Sequence, residues 1–253
     1  MSPIVIALVV FACLFAGAVL GMGLRQRLPA DHLSDSAKDV IRLAMGLVAT
    51  MTALVLGLVI AAAKSAYDTQ DDAVRHSAAK ILLLDRVLAD YGPEADGTRT
   101  FLKQLITDRV ATIWPEDGTR PGKLDTPAVA FATHTIETSI LQLAPRNEMQ
   151  RWLQSEALRI GGDLTETRWL VLAQARSAIP VPFLVVVVFW LTVLFASFGL
   201  FAPRNATVVG ALLLCALSVG AAMFLILEMD GPFEGLSRVS GAPMRYALAN
   251  LGR

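Results

Sequence analysis

Four long apolar blocks constrain this chain more than any other feature. The first runs from Pro3 to Leu24 without a charged residue, and the second from about Val40 to Ala63 with only Arg42 near its start. The third covers about Ile179 to Phe201 and the fourth about Ala206 to Leu227. A helix needs about 20 apolar residues to cross the hydrocarbon core of a bilayer, and a soluble core helix would carry a polar face that these blocks lack. In lipid the backbone must satisfy its own polar groups, which an isolated segment does only as a helix. The expectation is an all-α, polytopic membrane protein with four transmembrane helices and the lipid bilayer as its solvent. Composition agrees: 55% of residues are hydrophobic and 17% charged, where an ordinary soluble domain has about 25% charged.

The first block differs from a cleaved secretory signal. Met1-Ser2 supplies no basic residue, and the apolar stretch exceeds the usual 7–15 or so, so a retained span is expected. The charge that the ends lack is concentrated in the middle, which sets the organisation. Residues 1–63 carry the first two spans, 64–177 a helical extramembrane domain, 178–229 the last two spans, and 230–253 a C-terminal tail.

The domain reads as helices throughout. Nothing stops the second helix between about Asp35 and Tyr91-Gly92-Pro93, where Gly and Pro form a stop; at 1.5 Å per residue that helix is about 80 Å long. Along it Tyr67, Val74, Ile81 and Leu88 recur every seven residues with Ala78 and Leu84 between them, a coiled-coil-like seam that fits partners in the same chain or in neighbouring subunits. Phe101, Leu102 or Leu105, Ile106, Val110 and Ile113 define an amphipathic stretch from about Thr98 to Ile113, followed by a Pro- and Gly-rich loop from Glu116 to Asp125. Thr126-Pro127 starts the next helix as an N-cap with Pro at the first position; it carries Phe131, Ile136, Ile140 and Leu143. Asn147 caps a final helix through Val171, where Gly161-Gly162 marks a candidate kink.

Orientation follows Lys and Arg near the span ends. Arg25, Arg27, Lys38 and Arg42 lie in or beside the first short link and Arg204 in the second, whereas Glu228, Asp230 and Glu234 follow the fourth span. The count favours both links in the cytoplasm and the domain outside, although Lys64 and Arg176 flank the domain as well.

Chemistry-bearing groups are sparse. No Asp, Glu, His or Lys lies in the interior of a span, which argues against the intramembrane proton relay that such groups mark; Glu228 reads as an interfacial acid. His32, His76 and His134 have no ligand partners at metal spacing, and Cys13 and Cys215 lie in apolar blocks, so neither a metal centre nor a disulfide framework is expected. There is no nucleophile motif and no Walker or GxGxxG loop. An enzyme is not expected and no cofactor is implied. Zero net charge gives no footprint for nucleic acid.

What remains is a stripe of small residues. In the second span Gly46, Thr50, Ala53, Gly57 and Ala61 fall on one helix face, in the small-xxx-small manner of close helix contacts. The stripe is either a pore-lining or inter-subunit face, with hydroxyls and an apolar constriction that gates by dewetting, or helix packing within one chain. Gly17 and Gly21 in span one, and Gly210, Ser218, Gly220 and Ala221 in span four, read as packing. Arg25, Arg27 and Arg42 are either a positive mouth that concentrates anions or topology anchors.

Several runs also carry a resemblance. They are Arg27-Leu28-Pro29 with His32, Gly46-Leu47-Val48-Ala49-Thr50-Met51-Thr52-Ala53-Leu54-Val55-Leu56-Gly57-Leu58, Ala63-Lys64-Ser65, Asp68-Thr69-Gln70, Leu84-Asp85-Arg86, Tyr91-Gly92-Pro93-Glu94, and Arg238-Val239-Ser240 with Pro243 and Arg245. In these the chain resembles the bacterial bestrophin-like domain proteins. The resemblance implies distant similarity to bestrophins, which are homopentameric chloride channels with a pore lined by the second span and a cytoplasmic helical domain between spans two and three. It therefore implies a bacterial inner (plasma) membrane, a homo-oligomer with a pentamer favoured, and an inorganic ion as the transported species. Two features depart from the pattern: no acidic run matches the calcium clasp of animal bestrophins, and the charge count puts the domain on the other side. The functional expectation is a homo-oligomeric, anion-conducting channel. The alternative is a non-conducting scaffold or sensor that recruits a partner through its helical domain.

Overall fold

The computed structural model describes residues 2–27, 35–115, 127–174, 180–203, 205–231 and 238–253, with the backbone alone at 35–37, 127–133 and 174. Eight α-helices and one short 3₁₀ turn, with no strand, make up these residues. They are α1 (Pro3–Leu24), α2 (Asp35–Tyr91), the 3₁₀ turn Pro93–Ala95, α3 (Asp96–Ile113), α4 (Pro127–Leu141), α5 (Glu148–Gln174), α6 (Val181–Phe201), α7 (Ala206–Met229) and α8 (Ala242–Asn250). The expectations for Leu28-Pro29, His32, the Glu116–Asp125 loop, the Thr126 cap, the Phe131 side chain, Arg176, Ile179, Arg204 and Glu234 lie outside the described residues.

α1, α2, α6 and α7 are each long and apolar enough to cross a membrane. Their starts follow local chemistry. The Ser2 hydroxyl accepts from the Val5 amide at 3.4 Å with Pro3 in the first turn, and Asn205 Oδ1 accepts from the Val208 amide at 2.8 Å. Each side chain satisfies one of the amides that a helix start leaves without an intrahelical acceptor.

The chain divides into two compact units. The first comprises residues Met1–Ser65 and Ser177–Asp230. Its core is built on four-residue ridges: Val10, Leu14 and Ala18 of α1 and Val187, Leu191 and Phe195 of α6, with Val59 and Ala63 of α2 and Met223 of α7. Matching i±4 ridges on two helices interdigitate, and glycine lets the backbones close up. A Cβ on Gly21 would overlap the Ala196 carbonyl, one on Gly199 the Ala18 carbonyl, and one on Gly17 would lie 3.0 Å from the Thr192 oxygen. Gly220 of α7 is seated against Phe11. Large apolar side chains such as Leu8, Leu20, Leu47, Leu54, Phe189 and Leu214 point outward, the arrangement of helices whose solvent is hydrocarbon.

The second unit comprises Ala66–Arg176 and Gly231–Arg253. Here the seven-residue seam of α2 is consumed within its own domain: Val74, Ala78, Ile81, Leu84 and Leu88 are buried, and the last three pack with Leu102 and Ile106 of α3, Ile140 of α4 and Ile160 of α5. Two α5 glutamines close other helices, whose last carbonyls lack intrahelical donors. Gln150 Nε2 donates to the Tyr91 carbonyl at 3.0 Å, and Gln154 Nε2 to those of Ile140 and Leu143, both at 2.8 Å. Asn147 Oδ1 accepts from the Gln150 amide at 2.8 Å. Gly92, at φ 122°, makes the turn out of α2, a conformation that L-residues disfavour.

The final residues are part of this unit. Val239, Ala247 and Leu251 are buried, Lys103 Nζ donates to the Leu251 carbonyl at 3.0 Å, and the Gly252 amide to Asp85 Oδ2 at 3.1 Å. Arg99 donates to the same carboxylate through Nε at 2.9 Å and Nη2 at 3.2 Å. Those hydrogen bonds raise the guanidinium pKa above its already high ordinary value.

Candidate pore-lining face and positive mouth

α2 presents distinct faces within the first unit. One packs on its own chain: Thr52, Val59 and Ala63 are buried, at i, i+7 and i+11. Gly46, Thr50, Ala53, Gly57 and Ala61 are all exposed. At 100° per residue the two sets lie about 140° apart around the helix axis. On the other side of the stripe and adjoining it, about 70° round the axis, lie Leu43, Leu47, Leu54 and Leu58, each more than 60% exposed.

Glycine sorts the helices in the same way. A Cβ added at Gly46 or Gly57 would meet nothing within 4 Å, in contrast to the seated Gly17, Gly21, Gly199 and Gly220; Gly210 of α7 is open as well. Among the described residues, then, Gly46 and Gly57 of the stripe have no neighbour as close as those of the seated glycines. Of the most apolar stretch of α2 only 11% is buried, against 33% for α1.

Chemically the stripe is narrow in side-chain volume and only weakly polar. The Thr50 hydroxyl donates to the Gly46 carbonyl at 2.9 Å, a back-bond that satisfies it without water. What faces outward is small, nearly neutral and free of acids. The Thr52 hydroxyl is satisfied likewise by Val48 at 2.7 Å, but inside the packed face. Glu228 is buried in the last turn of α7, where the sequence alone placed it at an interface.

Of the three arginines, Arg25 has a direct contact with the end of α6. Arg25 follows the last residue of α1, and its Nη1 donates to the carbonyl of Ala202, the residue that closes α6, at 2.5 Å. Arg27 is exposed in the turn that follows α1. Arg42 lines a cavity of about 550 Å³ between α2, α6 and α7, together with Gly46, Ser197, Phe201, Ala202 and Cys215. Ala202 thus accepts from Arg25 and lines the same cavity as Arg42. Arg42 also pairs with Asp39 at 3.7 Å, with both side chains about two-thirds exposed or more, a geometry of small energetic weight.

Sequence reasoning missed three things here. Thr52 sits in the middle of the same run as Thr50 yet on the opposite side, and its i, i+7, i+11 relation to Val59 and Ala63 was the available signal. Asp39, three residues before Arg42, pairs with it and was legible as an i, i+3 pair. The cavity beside Gly46 had no signal, because it depends on how α6 and α7 meet α2.

Residues 12–244 match the family model described as Bestrophin-like domain. No curated protein and no solved structure matches the chain.

Proposed function

The chain belongs to the Bestrophin-like domain family, and from that premise we propose that it is a homo-oligomeric membrane ion channel, anion-conducting, with α2 lining the pore. The observation that carries the reading is the outward stripe Gly46, Thr50, Ala53, Gly57 and Ala61, turned about 140° from the face that α2 uses for its own chain. In a lone subunit that stripe would lie against lipid, where large apolar side chains make better contact than glycine and a self-satisfied threonine. Around a symmetry axis, equivalent stripes enclose a narrow, weakly polar passage. Such a wall excludes water below a threshold width and gates by dewetting. Arg25, Arg27 and Arg42 would raise the local anion concentration at one mouth, with Asp39 limiting the effect. The pentamer remains the assembly that the resemblance favours.

The scaffold alternative drew on the extended stalk and its seven-residue seam. Val74, Ala78, Ile81 and Leu88 are buried inside their own domain and Tyr67 is half-buried, which leaves less of the seam to support it. For the domain side, charge count supports an extracytoplasmic placement in a bacterial inner membrane, and a reporter fused after Arg253 tests it directly.

The channel itself is tested by replacing Cys13 and Cys215 with Ser, introducing Thr50→Cys or Ala53→Cys, and recording in planar bilayers. A pore gives rapid, irreversible block by a water-soluble thiol reagent at both positions and none at Thr52→Cys. Absence of conductance together with a monomeric mass, or equal protection at all three positions, removes the proposal.

A further inference from the structure

The cavity between α2, α6 and α7, about 550 Å³, is open rather than enclosed. On α2 it is lined by Arg42, Met45, Gly46 and Ala49. At 100° per residue these four centre about 70° round the helix from the small-residue stripe, toward the face that packs on its own chain. Gly46 belongs to both, so stripe and cavity adjoin there, and a Cβ on it would meet nothing within 4 Å. The remaining wall is mostly apolar, with Leu194 and Phe198 of α6 and Leu212 of α7 among its residues. Side chains that border a gap lose dispersion contacts. Helices in lipid associate through such contacts, having no hydrophobic drive to do so.

The other flank of α2 is the complement of this space. Leu43, Leu47, Leu54 and Leu58 form an exposed ridge about 70° from the stripe on its far side. Exposed leucine costs nothing in hydrocarbon, so the ridge gains meaning only from the space it matches. Leu43 and Leu47 fall within residues 42–49, the two turns of α2 that line the cavity. Knob and hole therefore share one height on the helix. Cyclic symmetry puts equivalent residues of every copy at the same height, and a ring needs two different surfaces on each subunit, one for either neighbour. With the stripe toward the axis, ridge and cavity face opposite neighbours.

We infer that Leu43 and Leu47 of one copy of this chain seat in the cavity between α2, α6 and α7 of the next, a head-to-tail contact repeated round the ring. The inference rests on the channel reading, because the stripe must face the axis for the two flanks to face neighbours. Each cavity, and with it the wall around Arg42, is then complete only in the assembly.

The test uses the full chain in phosphatidylcholine vesicles, with Cys13→Ser and Cys215→Ser as background. Leu47→Cys on the ridge is combined with Ser197→Cys on the cavity wall and, independently, with Ala211→Cys, and each protein is treated with a short bis-maleimide. One cysteine per chain joins two chains at most, whereas two on different surfaces join chain after chain. Expected is a ladder on denaturing gels that extends past the dimer for both pairs. It should stop at the dimer or before it in every single variant, and when Leu47→Cys is paired with Leu20→Cys, an outward position on α1. An equal ladder from the Leu20→Cys pair marks random collision and overturns the contact. An assembled mass with no ladder from either cavity pair also overturns it, leaves the channel reading standing and puts lipid in the cavity instead. A monomeric mass with no conductance removes the channel reading, and this contact falls with it.

Discussion

Gly199 of α6 lies against the main-chain carbonyl of Ala18 of α1 with no room for a side chain between them. Gly21 of α1 stands in the same relation to Ala196 of α6, so each helix contributes one glycine to a reciprocal contact. Two helices in lipid have no hydrophobic drive to associate, and close backbone approach supplies the van der Waals contact that replaces it.

Substitution at these positions should therefore separate two kinds of glycine. Gly21→Val or Gly199→Val forces the backbones apart, and about 1–3 kcal/mol of destabilisation is expected from overpacking alone. Gly46→Ala and Gly57→Ala add a methyl where nothing lies within 4 Å and should leave the thermal stability of the detergent-solubilised subunit unchanged or slightly raised. If the stripe of α2 faces a pore or a neighbour, the same two substitutions change conductance or oligomer stability. Thermal melts alongside cross-linking separate the effects.

In the helical domain the Asp85 carboxylate accepts from Arg99 twice and from the Gly252 amide, and Asp85 is 5% exposed. Arg99→Leu would leave that carboxylate in place without its cation. Removing one partner of a buried pair costs about 3–5 kcal/mol, more than the pair contributes net. Hydrogen exchange should report the loss in α3 and in the last residues together, because Lys103 and Asp85 tie both to the α2 core. The double variant Arg99→Leu with Asp85→Leu should recover much of the stability; failure to recover would mean that the pair does not act as a unit.

Tyr91 offers the opposite case. Its hydroxyl is buried without a hydrogen-bond partner among the described residues, and burial pushes the phenol pKa up, with Glu94 adding to the shift. Tyr91→Phe removes an unsatisfied polar atom and should stabilise the domain by up to about 1 kcal/mol. The pH dependence has a definite sign. A phenol held protonated in the fold contributes stability that is fully present below its unfolded value of about 10 and is lost as pH rises through the higher folded value. Unfolding midpoints measured between pH 8 and pH 11 should fall less steeply for Tyr91→Phe than for the native chain.

How far the sequence reached is visible residue by residue. The four long apolar helices were legible because a charge-free run of about 20 residues has few other uses, and the Asn147 cap and the Gly92-Pro93 stop were legible because each rests on local chemistry. The seam at Val74, Ile81 and Leu88 was legible as buried, but not what buried it; that depends on α3 and α5, which meet α2 only in three dimensions. The same limit applies to the small-residue stripe. Spacing placed Gly46, Thr50, Ala53, Gly57 and Ala61 on one face, while Gly17 and Gly21 carry the same signal and are seated in their own chain. Only the position of neighbouring helices separates the two.

The proposed positive mouth gives the most direct test of ion preference. Arg25 donates to the Ala202 carbonyl at the end of α6 and Arg42 lines a cavity that Ala202 also lines; neither needs to touch a permeating ion to act, since fixed charge at an entrance alters local counter-ion concentration over about 8–10 Å at ordinary salt. Arg42→Gln and Arg25→Gln each remove one positive charge, and Arg42→Gln also leaves Asp39 without its ion-pair partner. In the reconstituted protein under a salt gradient, reversal potentials should show the anion-to-cation permeability ratio falling with Arg25→Gln and with Arg42→Gln, while Asp39→Asn raises it. The differences should shrink between 0.1 M and 1 M salt as the screening length drops to about 3 Å. An unchanged ratio in all three variants would leave the arginines as anchors of topology, and a change that persists at high salt would point to direct contact with the ion rather than to its concentration at the entrance.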